Sequence, residues 1–396
     1  MHKLTEVADI NPRLDRERVD DLDEIVSFVP MASVSDTGSI ASEESRLVAE
    51  VLKGFTPFND RDILVAKITP CFENGKIAHA RIARRLGFGS TEFHVIRARS
   101  NKLDDRYLYH FLRQPRIRVQ GERRMTGSAG QRRVPKAFLE DLEIPVPRLS
   151  EQRRIAAILD KADALRAKNR EATAKLDHLT ASSFHILCGS SYGPPISIGM
   201  PSQADAAKYI PLRDVARMAT GHTPDRSIAD YWGGDIPWIG LSDIRRLDGR
   251  VAMDTAQRTT PSGIANSSAV ILPKGTVCFS RTASVGFATV LGREMATSQD
   301  FVNWICGDRI EPLYLLEAFR ASKKYLVSKS TGSTHKTIYF PVAQRFHVYL
   351  PPLGAQAKFS NVLESIWRQE ERIVKAQVAT DRLFDSLQQA AFTGQL

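Results

Sequence analysis

The chain repeats itself, and that repetition limits its possible folds more than any other feature. The stretch "TGSAGQRRVPKAFLEDLEIPVPRLSEQ", starting at Thr126, is answered by "TGSTHKTIYFPVAQRFHVYLPPLGAQ", starting at Thr331. Each copy has a small-residue turn, a basic patch, a short apolar alternation, a proline stop and then a long helical stretch. Upstream, Leu4-Thr5-Glu6-Val7-Ala8 matches Leu212-Arg213-Asp214-Val215-Ala216, and Ile63–Lys67 matches Thr276–Ser280. Ser90-Thr91-Glu92-Phe93 matches Ser298-Gln299-Asp300-Phe301, and Tyr107-Leu108 matches Tyr314-Leu315. Most matched positions lie 204–208 residues apart. So many matches in one order imply duplication, hence two like domains rather than one large one.

Within each copy, short β-rich runs (Ile63–Ile68, Ile77–Arg81, Phe93–Arg97; Thr276–Ser280, Phe287–Val290, Phe301–Ile305) alternate with helical patterns. Tyr107, Leu108, Phe111 and Leu112 share one helix face, as do Tyr314, Leu315, Ala318 and Phe319. The fold class is therefore α+β, two repeated domains of about 145 residues each. Pro145 and Pro147, like Pro351 and Pro352, can neither continue a helix interior nor donate to a sheet, so they end each domain.

Beyond each proline stop the chain is heptad-periodic. In the first copy Ile155, Ile158, Ala162, Leu165, Asn169, Ala172, Leu176 and Leu179 step by three and four. In the second, Leu363, Ile366, Glu370, Ile373, Gln377, Thr380, Phe384 and Leu387 do the same. A constant shift of 208 maps one series on the other and sets Asn169 against Gln377. These residues form the expected seam of two long helices, each roughly 54 Å at 1.5 Å per residue. Pairing them antiparallel makes a ruler; the alternative is two amphipathic helices docked separately. The expected boundaries are 1–148 for the first domain and 149–187 for its helix, 188–208 for a Gly/Pro/Ser-rich linker, 209–352 for the second domain and 353–396 for the second helix.

The formal charge is +10, which favours a polyanionic partner such as nucleic acid. The excess is local: from Arg81 to Lys136 there are fifteen Lys or Arg against four acids. No CxxC or His-x-x-x-His spacing appears, which argues against zinc. No apolar run reaches membrane-span length, no signal peptide opens the chain, and a reduced cytoplasmic setting is the default. A GxxxxGK[ST] phosphate loop and an Asn/Asp-Pro-Pro-aromatic methylation motif are both missing. Asp60 with Glu73-Asn74-Gly75-Lys76 leaves a faint nuclease-like trace, but Asn-Gly between two β-rich runs reads better as a turn.

"YWGGDIPWIGLSDI" (231–244), "TGSTHKTIYF" (331–340), "LPPLGAQ" (350–356) and "LQQAAFTGQL" (387–396) resemble the specificity subunit of type I restriction-modification enzymes. The first copy fits through "TGSAGQRRV" and "IPVPRLSEQRRIAAIL" but shows no counterpart of the Trp232–Trp238 segment. The resemblance implies two target recognition domains, each reading half of a bipartite site in double-stranded DNA. It also implies an antiparallel coiled coil that spaces them in a pseudo-twofold arrangement. Two methyltransferase subunits would dock on that framework, joined in restriction complexes by motor-nuclease subunits. The chain itself would be non-catalytic and bind no cofactor; S-adenosylmethionine, ATP and Mg would belong to its partners.

The residues suggest where DNA would be held. Gly127 and Ser128, and Gly332 and Ser333, make turns whose backbone N–H groups can approach phosphate closely. Gln131, Arg132 and Arg133, and His335 and Lys336, supply donors for phosphates or base edges. Lys67, Lys76, Arg281 and Ser284 stand beside Gly-containing turns. Trp232 and Trp238 are expected to anchor the core. The rival functions are an autonomous nuclease and a coiled-coil scaffold whose basic face is incidental.

Overall fold

A computed structural model describes residues 1–14, 21–128, 130–189, 193–201, 208–332 and 336–396. The chain forms two units. One comprises Met1–Arg170 with Lys375–Leu396, the other Glu171–Val374. No helix among the described residues is long and apolar enough to cross a membrane.

The first unit is built on a four-stranded antiparallel sheet, in the order Ala8–Ile10, Phe93–Ala98, Ile63–Ala66, Ile77–His79. The Ile63–Ala66 strand is buried along its whole length, as its unbroken apolar run demands. Helix Asp105–Leu112 packs behind it, with Tyr107, Leu108, Phe111 and Leu112 all buried. Asp104 caps that helix by accepting from the backbone N–H groups of Arg106 and Tyr107. In the second unit the order is Ala216–Thr220, Phe301–Cys306, Val277–Ser280, Ala288–Leu291, with Val251–Ala252 added at the edge. Helix Pro312–Ala321 buries Tyr314, Leu315, Ala318 and Phe319. Both units thus share one α+β plan.

The first copy does contain a counterpart of the Trp232–Trp238 segment. In the second unit Trp232–Ile239 pairs antiparallel with Gln257–Thr259 and parallel with Ala296–Thr297. In the first unit Ile25–Val29 pairs antiparallel with Glu44–Leu47 and parallel with Leu86–Gly89. The topology is the same, but Phe28 stands where the other copy has Trp238, and the tryptophan signature is lost. Trp238 is fully buried and donates Nε1–H to the His222 carbonyl. Trp232 stacks edge-on against it at 5.1 Å and is only half-buried.

The expected linker 188–208 is partly structured. Ile196–Ile198 forms a strand antiparallel to Phe346–Tyr349, which also pairs with Tyr209–Pro211. Ile196 is fully buried there, so its apolar alternation outweighs the surrounding Gly and Pro.

The two long helices are Leu149–Cys188 and Leu353–Thr393. In the first unit their segments run antiparallel: Arg166 Nε meets Asp381 at 2.6 Å, and Asn169 Nδ2 donates to Thr380 Oγ1 at 3.2 Å. In the second unit Phe184 packs edge-on against Phe359 at 5.0 Å. On the second helix the expected seam faces inward, with Leu363, Ile366, Glu370 and Phe384 buried and Ile373, Gln377 and Leu387 half-buried. The first helix departs from expectation. Ile155 is buried, and Ile158, Asn169 and Leu176 are half-buried, but Leu165 and Leu179 are 49% and 48% exposed. The inward positions are instead Leu159, Arg166 and Thr180, one residue later. Arg166 suits an inward site because Asp163 and Asp381 neutralise it and its guanidinium lies 4.5 Å from the Phe384 ring centroid. Thr180 satisfies its hydroxyl on the Leu176 carbonyl.

The register between the copies also changes, from 208 to 204. Gln152 Oε1 accepts from the Asp104 N–H while Nε2 donates to the carbonyls of Lys102 and Pro147. Gln356 does the same with Glu311, Arg309 and Pro351. Both glutamines are fully buried. Aligning them matches Asn169 with Ile373 rather than Gln377, and Arg166 with Glu370.

Candidate nucleic-acid interface

In each unit three segments meet at one end of the main sheet, held by the same five backbone bonds. In the first, Lys67 N donates to Glu92 O (2.9 Å), Val134 N to Lys67 O (2.8 Å) and Thr69 N to Arg132 O (2.9 Å). Thr126 and Arg133 exchange bonds of 3.0 and 2.8 Å. In the second, Arg281 N donates to Asp300 O (2.9 Å), Ile338 N to Arg281 O (2.8 Å) and Ala283 N to Lys336 O (3.1 Å). Thr331 and Thr337 exchange bonds of 3.0 and 2.8 Å. The junction therefore equates Lys67 with Arg281, Glu92 with Asp300, Arg132 with Lys336 and Arg133 with Thr337.

The turns need glycine. Gly127 has φ +122° and Gly332 φ +107°, a region that L side chains rarely adopt. A Cβ on Gly127 would also come within 2.8 Å of the Gln131 carbonyl oxygen. Gly127, Ser128, Gln131, Gly332 and Lys336 are exposed. Ser333 and His335 lie outside the described residues.

Several predicted contacts have partners inside the protein. Arg133 grips Glu92 through Nε (3.0 and 3.2 Å) and Nη2 (2.8 Å). This bond holds the Glu92 carboxyl below its ordinary pKa. Arg132 Nη2 stands 3.5 Å from Glu73, which also accepts from Thr69 Oγ1 at 2.8 Å. Lys76 Nζ reaches the Met31 carbonyl at 3.3 Å. Glu73 and Lys76 thus turn to different neighbours, and Asp60 accepts from the Ile82 N–H. Arg281 donates to the Gln299 carbonyl and lies 5.1 Å from the Phe340 ring centroid, half-exposed. Ser284 is a correction: it is 4% exposed and its Oγ accepts from Arg245, so it presents nothing outward.

The basic window is also less bare than its count suggests. Arg97, Arg99, Arg106 and Arg113 pair with Asp62, Asp9, Asp160 and Asp163. Acids distant in sequence fold back on these cations. Exposed Arg116 and Arg123, on the helix Pro115–Arg124 that leads into the Gly127 turn, carry part of what remains, while Arg124 pairs with Asp141 at 3.9 Å. The only sequence signal for the role of Glu92 is that its counterpart Asp300 recurs in the same Ser-x-acid-Phe pattern. In both copies the serine hydroxyl accepts the acid's own N–H.

The model of the type I restriction modification DNA specificity domain matches residues 1–177 and again 205–378. The chain belongs to this family. Among specificity-domain relatives, the chain is similar to the type I restriction enzyme EcoAI specificity subunit of Escherichia coli. The two are 44% identical over 154 residues, which is 38% of this chain and 26% of that protein. It is 42% identical to the EcoEI specificity subunit of the same organism over 160 residues, 40% of this chain and 26% of that protein. The MjaIX specificity subunit of Methanocaldococcus jannaschii is 30% identical over 166 residues, 41% of this chain and 38% of that protein. The matched part thus spans only about a quarter of the two Escherichia coli relatives' length.

Two solved structures match nearly end to end. One, described as the structural basis of complex assembly and conformational transition of the type I R-M system, gives a TM-score of 0.58 at 21% identity. It covers 100% of this chain and 97% of its own. The type I restriction-modification S subunit from M. genitalium gives 0.55 at 13% identity, covering 99% and 95%. At such identities the likeness is one of fold. The two matched segments of the specificity-domain family each carry one five-bond junction.

Proposed function

We propose that this chain is the DNA specificity subunit of a type I restriction-modification complex. Each unit reads one half of a bipartite site in double-stranded DNA, and the paired helices set the gap between the halves. Two methyltransferase subunits dock on this framework, with motor-nuclease subunits added in a restriction complex. The chain supplies recognition and no catalysis; S-adenosylmethionine, ATP and Mg serve the partners.

The observation that carries this reading is the junction built twice. In both copies a positive-φ glycine turn and basic side chains stand on one backbone scaffold, while the side chains differ between copies. A shared scaffold with different side chains is what reading two different half-sites requires, because phosphate contacts position and base contacts specify. Lys67, Arg132, Arg133, Arg281 and Lys336, with Gln131 and the two glycine turns, are the groups we assign to DNA. Lys76 contributes charge from the neighbouring loop.

The test is the methylome of cells expressing this chain with its methyltransferase partner. One asymmetric, two-part motif is expected. Methylation without such a motif would contradict the assignment.

A further inference from the structure

We propose that Arg133 reads a pair of adjacent acceptors on a base edge, guanine O6 and N7, in one half-site only, and that Glu92 is its positioning residue. This rests on the DNA-recognition reading above.

A guanidinium has five N–H groups in a fixed plane. Nε and one Nη2 hydrogen are committed to Glu92, and one Nη1 hydrogen to the Gln131 carbonyl at 3.2 Å. One N–H remains on each terminal nitrogen. Two adjacent donors on one plane match the O6/N7 pair that guanine shows in the major groove. The Arg133 side chain is 42% exposed, while the Glu92 side chain, at 24%, lies further in. The carboxylate fixes the plane and the Thr126–Arg133 bridge fixes the backbone beneath it.

Charge decides between a base and a phosphate. With Glu92 ionised and bonded, the pair is close to neutral and attracts a phosphate weakly, yet its free donors keep their geometry. The second unit supports this choice. Thr337 occupies the same bridge position, and Asp300, which replaces Glu92, accepts from Ser298 Oγ at 2.9 Å. A phosphate grip would be needed in both halves and would keep a cation in both. A position that changes from Arg to Thr on an unchanged scaffold is where the two units differ in what they read.

The experiment uses the full chain in complex with its methyltransferase partner. Arg133→Lys keeps the charge and removes the fork. One position of one half-site should relax, its discrimination falling roughly 5- to 150-fold. The other half-site and the salt dependence of binding should stay as they were. Glu92→Gln should relax the same position and steepen the salt dependence by up to about 0.9 in the log–log slope, since a freed guanidinium can now meet a phosphate. Retention of the full motif by both variants overturns the proposal. If Arg133→Lys abolishes methylation, binding to duplexes carrying each base at each motif position decides. Relaxation confined to one position supports the proposal, and uniform loss, as expected of a phosphate contact, overturns it. Absence of any bipartite motif with the unaltered chain would instead overturn the underlying functional reading.

Discussion

Gln152 and Gln356 show how one residue can end a domain and start a rod. Each sits fully buried in the first turn of a long helix and ties it to the loop before another helix. Changing Gln152 to Leu strands the Asp104 N–H and the Lys102 and Pro147 carbonyls, and should cost about 2–4 kcal/mol. Thermal or urea unfolding of the full chain checks this; an unchanged midpoint would refute the anchoring role. His110 offers a second test. It is fully buried, with Nε2 at 2.7 Å from Asp160. Burial, opposed by the Asp160 bond, holds its pKa below the ordinary value. His94, buried and bonded to the Val134 carbonyl, is held down likewise. The unfolded chain takes up these protons near pH 6.5, the folded one only lower. Their contribution is therefore complete above about pH 6.5 and is lost as pH falls through the lower folded values. The melting temperature should drop between pH 7 and 5, and His110→Phe should flatten part of that drop.

At the scale of elements, the sequence shows periodicity better than phase. The main-sheet strands were legible as apolar runs, because strands buried on both faces write themselves that way. The parallel pairing of Ile25–Val29 with Leu86–Gly89 was not, because its equivalence to the tryptophan strand lies in topology, not in side chains. On the first helix one set of seam positions was legible (Ile155, Asn169, Leu176) and the other slipped by one. Leu165 and Leu179 look like seam residues, whereas Arg166 and Thr180 turn inward because ion pairing and a backbone bond satisfy their polar groups. The Pro-to-Gln spacing already held the correct register of 204, since those glutamines share a role that seam leucines do not. This register yields a prediction. One heptad inserted between Arg170 and Glu171 and another between Val374 and Lys375 leaves each unit intact. It should widen the gap in the methylated motif by about three base pairs, from about 10 Å of added helix. An unchanged gap would refute the spacing role of the helices.

For the whole molecule, duplication explains why two units share sheet order, helix order, glutamine anchor and five-bond junction while their junction side chains diverge. The candidate site was legible only in part. The glycine turns and basic residues could be read directly, but the acids that fold back on those cations could not, because Glu73 and Glu92 lie 59 and 41 residues from the arginines they hold. The central claim is that each unit reads its own half-site independently. The most direct measurement is methylome sequencing after residues 1–148 are replaced by the matching domain of another family member. A motif with one half exchanged and the other half kept is expected. A motif changed in both halves, or in neither, would contradict it.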